Sequence, residues 1–124
     1  MAGAARFKRP MGTSVLALGR LKTGQMNNTE AAYAEFLEKL KGIGDVVWYK
    51  FEGVKLRLAD NTFLTVDFAV MRADGALEMH EVKGHWMEDA RVKMKVAADM
   101  YPFRFIAVQP IAKKAGGGWK VEVF

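Results

Sequence analysis

Between Val66 and Gly84 the chain reads VDFAVMRADGALEMHEVKG, and Asp67, Glu81 and Lys83 stand where a strand pattern calls for apolar residues. Side chains alternate faces along a strand, so parity decides which of them meet. Asp67 falls with Thr65 and Ala69, on the face opposite Leu64, Val66, Phe68 and Val70. Glu81 and Lys83 fall with Met79, while His80 and Val82 point away. Asp74-Gly75 is a two-residue hairpin signal joining the two strands. Asp67 and Glu81 therefore share a face of neighbouring strands, with Lys83 one step nearer the strand end. Two carboxylates this close repel unless positive charge sits between them, and an oxygen-seeking cation such as Mg2+ or Mn2+ is the usual solution. Such an ion binds a phosphate oxygen and acidifies a water, and an ammonium beside it orients that water or neutralises charge developing on phosphorus. The set suits in-line hydrolysis of a phosphodiester without a covalent intermediate. The plainer alternative is a solvent-facing Asp and an edge-strand Glu–Lys pair. Against it, Val66 and Phe68 flank Asp67 and bury the acid in part, and a buried acid needs a partner.

The elements that must hold these groups are legible from periodicity. Asn28 or Thr29 caps a helix running to about residue 41, with Tyr33, Phe36, Leu37 and Leu40 as its buried stripe. Gly42 and Gly44 end it. Strands are predicted over 46–51, 54–58, 63–72 and 76–83, with turns at Glu52-Gly53, Asp60-Asn61 and Asp74-Gly75. A second helix over 86–100 presents Met87, Ala90, Met94, Ala97 and Tyr101 to the core, and Pro102 stops it. An interior strand over 103–108 follows, and Gly116-Gly117-Gly118 leads into a last strand, 119–124. This order predicts an α/β chain of the α+β kind, a mixed central sheet flanked by helices. The helix between the Glu81 strand and the 103–108 strand makes a right-handed parallel crossover.

The totals narrow the class. A chain of 124 residues supports one core, and 51% hydrophobic with 27% charged residues is the composition of a globular domain. No apolar run approaches the ~20 residues of a membrane span, and the run 15–18 is too short for a signal-peptide core. Absence of cysteine excludes disulfides and thiolate metal sites and points to a reducing cytoplasm. With only His80 and His85, a multi-histidine zinc site is not expected. The charge is unevenly placed. Of 19 Lys and Arg, Arg6, Lys8, Arg9, Arg20 and Lys22 precede Glu30, and none of the 14 acids does, so the whole net charge of +5 falls in the first 29 residues. The reading divides the chain into a basic, loosely docked arm over 1–28 and a folded domain over 29–124. Such an arm holds a polyanion without reading its sequence, or serves only as a solvated tail.

Asp67 followed by Glu81-Val82-Lys83, on a hairpin with a helix and strand after it, resembles the PD-(D/E)xK nuclease superfamily. The stretch HEVKGHWMEDARVKMKVAADMYPFRFIAV is similar to small phage and prophage endonucleases of that group, which in turn resemble Holliday-junction resolvases. Val66 stands where the motif name has proline. The resemblance implies a core order α-β-β-β-α-β as in restriction-endonuclease-like folds and a metal-dependent DNA endonuclease using Mg2+ or Mn2+. It assigns Asp67 and Glu81 as metal ligands with the Val82 carbonyl, and Lys83 to the attacking water or transition state. It adds Glu30 from the first helix, directly or through water; Glu30 borders the buried stripe, though a first-turn acid also complements the helix dipole. A catalytic core of 124 residues offers little surface for sequence readout, so structure- or junction-directed cleavage is expected. The resemblance further implies a homodimer and, for a phage-encoded chain, a host bacterial cytoplasm. Lys93 is a candidate for the scissile phosphate, with Arg91 and Lys95 as a cationic stripe and His85 as a phosphate contact or further metal ligand. The arm residues would hold the DNA backbone. Two alternatives stay open: a non-catalytic nucleic-acid-binding module with a decayed nuclease fold, and a nuclease subunit targeted by a phage partner protein.

Overall fold

The first helix, α1 (Asn28–Gly42), starts where Asn27 caps it: Asn27 Oδ1 accepts from the Glu30 N–H at 2.8 Å, and Glu30 Oε1 accepts from the Asn27 N–H at 2.9 Å. This is a reciprocal capping box, one residue earlier than the caps read from the sequence. The stripe buries Tyr33 and Leu37 fully, while Phe36 remains 36% exposed. The computed structural model describes residues 24–124; Arg6, Lys8, Arg9, Arg20 and Lys22 lie outside them.

Along the chain follow β1 (Val46–Phe51), β2 (Lys55–Ala59), β3 (Thr62–Thr65), β4 (Phe68–Arg72), β5 (Leu77–Val82), α2 (Glu88–Met100), β6 (Arg104–Pro110) and β7 (Trp119–Val123). The fold is α+β. Five strands form one mixed sheet in the order β1-β4-β5-β6-β7, and β2 with β3 forms a separate hairpin sheet. Only the β5–β6 pair is parallel, joined by the crossover through α2; the other pairs are antiparallel. Setting the β2–β3 hairpin aside, the main sheet and its helices run α-β-β-β-α-β along the chain, and β7 is added after them.

The two faces of the sheet carry separate cores. On one side α1 packs Tyr33 and Leu37 against Phe68, Val70, Val82 and Val108. On the other, α2 and the β2–β3 hairpin pack Met94, Leu56, Leu64 and Val66 against Met79 and Phe105. The α2 helix begins at Glu88 rather than residue 86, which leaves Met87 at the N-cap and 59% exposed instead of in the core. Among the described residues no helix is long and apolar enough to cross a membrane.

The strand predicted over 63–72 is two strands. The chain bends at Val66-Asp67, where it leaves β2 and joins β1 and β5. The Val66 N–H donates to Val54 O at 3.1 Å, and the Asp67 carbonyl accepts from the Glu52 N–H at 2.8 Å. Parity breaks there: Val66 lies in the core under α2, and Phe68 in the core under α1. Glu52, in the turn before β2, adopts φ 50°, a left-handed conformation uncommon for a side chain of its size. Its N–H grips Asp67, and its Oε1 accepts from the Gly24 N–H at 3.0 Å.

Candidate active site

Asp67 sits in the bend, one position beyond the last β4–β5 rung, Phe68 opposite His80, and so faces Glu81. There the ladder is replaced by two bonds of opposite sense. Asp67 N–H donates to Glu81 Oε1 at 2.8 Å, and Val82 N–H donates to Asp67 Oδ2 at 2.8 Å. Each acid is thus fixed by the backbone of the other strand, and the two are brought together at the point where β4 leaves β5. A strand residue turns its N–H and C=O to the same side, so the Val82 carbonyl also faces the β4 side. The adjacent Lys83 N–H holds Val108 O on the β6 side at 2.8 Å.

The cluster is electrostatically tense. Burial, and then the Glu81 charge, push Asp67 up to about 8, against the Val82 N–H and the Lys83 ammonium, which pull it down. Glu81, 4% exposed, is also raised, chiefly by burial, with Lys83 and the Asp67 N–H opposing. Near neutral pH the pair therefore holds a proton where two ordinary carboxyls would hold none. Lys83 Nζ lies 3.4 Å from Glu81 Oε2 and 5.8 Å from the centre of the Trp86 ring. Its ammonium thus stands between the acid and an aromatic face.

Glu30 stands near enough for its charge to raise both acids. Its Oε1 is turned onto the Asn27 N–H in the capping box, so the first-turn role and the proximity to the pair occur together. Among the described residues no three His, Cys, Asp or Glu side chains gather in a metal-binding group. The donors present, two carboxylates and a backbone carbonyl, are all hard oxygens. They fit Mg2+ or Mn2+, which bind through one or two carboxylates and keep several waters. Asp67, Glu81 and the Val82 carbonyl are the groups that would hold such an ion.

The candidate cations of α2 are placed differently from one another. Lys93 Nζ donates to Phe63 O at 3.2 Å and so ties α2 to β3. Arg91 is clamped bidentately on Glu122, at 3.0 and 2.7 Å, and its guanidinium lies over Trp86 and Phe124 at 5.1 and 5.3 Å. Its charge is met within the fold. Lys95 is exposed on the same helix, and His85 is exposed in the loop between β5 and α2.

A polar chain on the opposite face of β5 went unread in the sequence. Tyr33 Oη lies 2.7 Å from His80 Nδ1, and His80 Nε2 lies 2.9 Å from Glu78 Oε1, all three residues being at most 5% exposed. Arg104 Nε stands 3.7 Å from the other Glu78 oxygen. Burial, and then the Glu78 charge, hold the Tyr33 hydroxyl protonated far above its usual range, so it donates to Nδ1. Against burial, which opposes it, the His80 hydrogen bond keeps Glu78 below the usual carboxyl range, so Nε2–H donates to a carboxylate. The chain ties α1, three residues after Glu30, to the residue before Glu81. Among the described residues no buried side-chain nitrogen or oxygen lacks a partner. Comparison with protein-family models, curated proteins and solved structures finds no match.

Proposed function

We propose that this chain is a metal-dependent DNA endonuclease of the PD-(D/E)xK kind, of phage or prophage type, hydrolysing phosphodiester bonds. One observation carries the reading: Asp67 and Glu81 are each held by the backbone of the other's strand, both carboxyls are raised by burial, and Lys83 Nζ lies 3.4 Å from Glu81. A merely structural acid pair would gain from replacement by apolar residues. A pair kept under repulsion beside an ammonium is arranged for a ligand that removes the repulsion.

A divalent ion on the pair supplies Lewis-acid polarisation of a phosphate oxygen. The chain's own groups do the rest. With such an ion bound, Asp67 and Glu81 would both be held as carboxylates, and the Val82 carbonyl would complete the protein donors. Lys83, its ammonium beside the Trp86 ring, donates to the oxygen on which negative charge builds as water attacks phosphorus in line. Glu30, whose Oε1 accepts from the Asn27 N–H, would add its charge to the cluster directly or through water. Lys95 and the basic residues before Glu30 hold the DNA backbone without reading sequence. A chain of 124 residues offers little surface for sequence readout beside a catalytic core, which favours recognition of DNA structure, such as a junction, over a sequence.

A second reading, a nucleic-acid-binding module without activity, draws on the absence of a three-ligand cluster among the described residues. Incubation with supercoiled, single-stranded, flapped and four-way-junction DNA, in Mg2+, Mn2+ or EDTA, separates the two. The nuclease reading expects cleavage of at least one substrate that EDTA abolishes. DNA bound and left intact under every metal condition would sink it.

A further inference from the structure

Among the described residues the main sheet has two edge strands, β1 and β7, and β7, Trp119–Val123, reads WKVEV. Its inner side is committed to β6. Ile111 N–H donates to Gly118 O and Phe124 N–H to Phe105 O, both at 2.9 Å, so even-numbered residues turn their backbone groups toward β6. By alternation Trp119, Val121 and Val123 turn theirs outward. Val121 and Val123 are also 57% and 63% exposed, on the face that α1 covers only as far as Trp119. An edge whose outward backbone groups meet no described residue, with two exposed β-branched residues, is a template for another strand.

The charges on this strand choose its partner. We propose that β7 pairs antiparallel with β7 of a second copy of this chain, about a two-fold axis through Val121. In that register Trp119 stands opposite Val123 of the second copy, Val121 opposite Val121, and Lys120 opposite Glu122. The three outward-facing residues become hydrogen-bonded pairs. Lys120 and Glu122 fall in the intervening positions, where opposed side chains approach most closely. A slip of two residues in either direction sets Lys120 against Lys120 or Glu122 against Glu122. One register alone therefore pairs both the backbone and the charges, and lysine on the edge discourages the others. Glu122 already accepts two hydrogen bonds from Arg91, and a carboxylate has capacity for more.

The contact is isologous, as a closed dimer requires, and it makes one ten-stranded sheet. An axis normal to that sheet keeps Asp67, Glu81 and Lys83 of both copies on the same face. The two β5 strands stand five strand spacings, about 24 Å, apart. The pairing itself does not depend on the nuclease reading.

The test uses the full chain, which has no cysteine. Opposed Val121 residues would lie about 5.5 Å apart at Cα, within disulfide reach. Val121→Cys should therefore give a covalent dimer under mild oxidant, while Lys114→Cys, exposed in the short 3-10 turn before β7, should not. Light scattering of wild type at low salt should show a mass rising with concentration from 13.8 kDa toward twice that value. Lys120→Arg should keep this behaviour, Lys120→Glu should weaken association at least tenfold, and Val121→Pro, which removes an outward N–H only, should abolish it. Circular dichroism confirms that each variant is folded. A wild type that stays at 13.8 kDa, or a dimer indifferent to Lys120→Glu and Val121→Pro, overturns the proposal.

Discussion

Replacing Asp67 by Asn tests the tension in the acid pair. Asn keeps the oxygen that accepts from the Val82 N–H and removes the titrating group. The wild-type carboxyl is at 3.8 unfolded and about 8 folded. Between those values the folded state holds a proton that the unfolded state has lost, so metal-free stability falls as pH rises through the window. At 1.36 kcal/mol per unit, the penalty at pH 7 has a ceiling of about 4 kcal/mol, and sharing of the proton with Glu81 brings it to about 2 kcal/mol. Asp67→Asn should recover that amount, a rise in Tm of about 8 °C for a chain of this size. Thermal unfolding by circular dichroism in EDTA, from pH 4 to pH 9, measures it. The two proteins should coincide near pH 4 and diverge as pH rises, with the variant the more stable. Adding Mn2+ should then raise Tm of the wild type, increasingly toward high pH as the proton is displaced, and leave the variant unmoved. A variant less stable than wild type at pH 8 in EDTA, or a wild type whose Tm does not fall with pH relative to it, would refute the reasoning.

Other substitutions probe the surroundings. Lys83→Ala removes the charge that lowers both acids, so the pH at which Mn2+ begins to stabilise the protein should move up; where cleavage is measurable, its rate should fall about 10²- to 10⁴-fold. Tyr33→Phe strips a buried partner from His80 and should cost about 1–3 kcal/mol in urea unfolding, with the midpoint shifted and the slope unchanged. DNA binding across a salt series should lose about one unit of log–log slope in Lys95→Ala. The same series should show little change in Arg91→Ala, because Glu122 already meets that charge.

What the sequence made legible follows where the chain is locally regular. β5 is an unbroken strand, so parity placed Glu81 with Met79 and away from His80 and Val82, as the two cores show. Asp67 is harder, because its apolar neighbours Val66 and Phe68 look alike in a pattern while the bend between them sends one to each core. Length was the available signal: a ten-residue strand with an acid at its middle lies at the upper limit of ordinary strands. The α1 cap was missed among three consecutive cap-forming residues, although only Asn27 has a glutamate three residues on. Glu78 and His80 share a face of an interior strand, which was itself a warning of a buried polar pair. Their link to Tyr33, and that of Arg91 to Glu122, depend on how distant elements pack and leave no local trace.

The central claim meets its most direct test in single-turnover cleavage of the best DNA substrate in Mn2+, with wild type beside Asp67→Asn, Glu81→Gln and Lys83→Ala, each shown to be folded and to bind DNA. The account predicts cleavage by the wild type alone, stopped by EDTA and reduced at least a hundredfold in each variant. Equal cleavage by wild type and Asp67→Asn would contradict it.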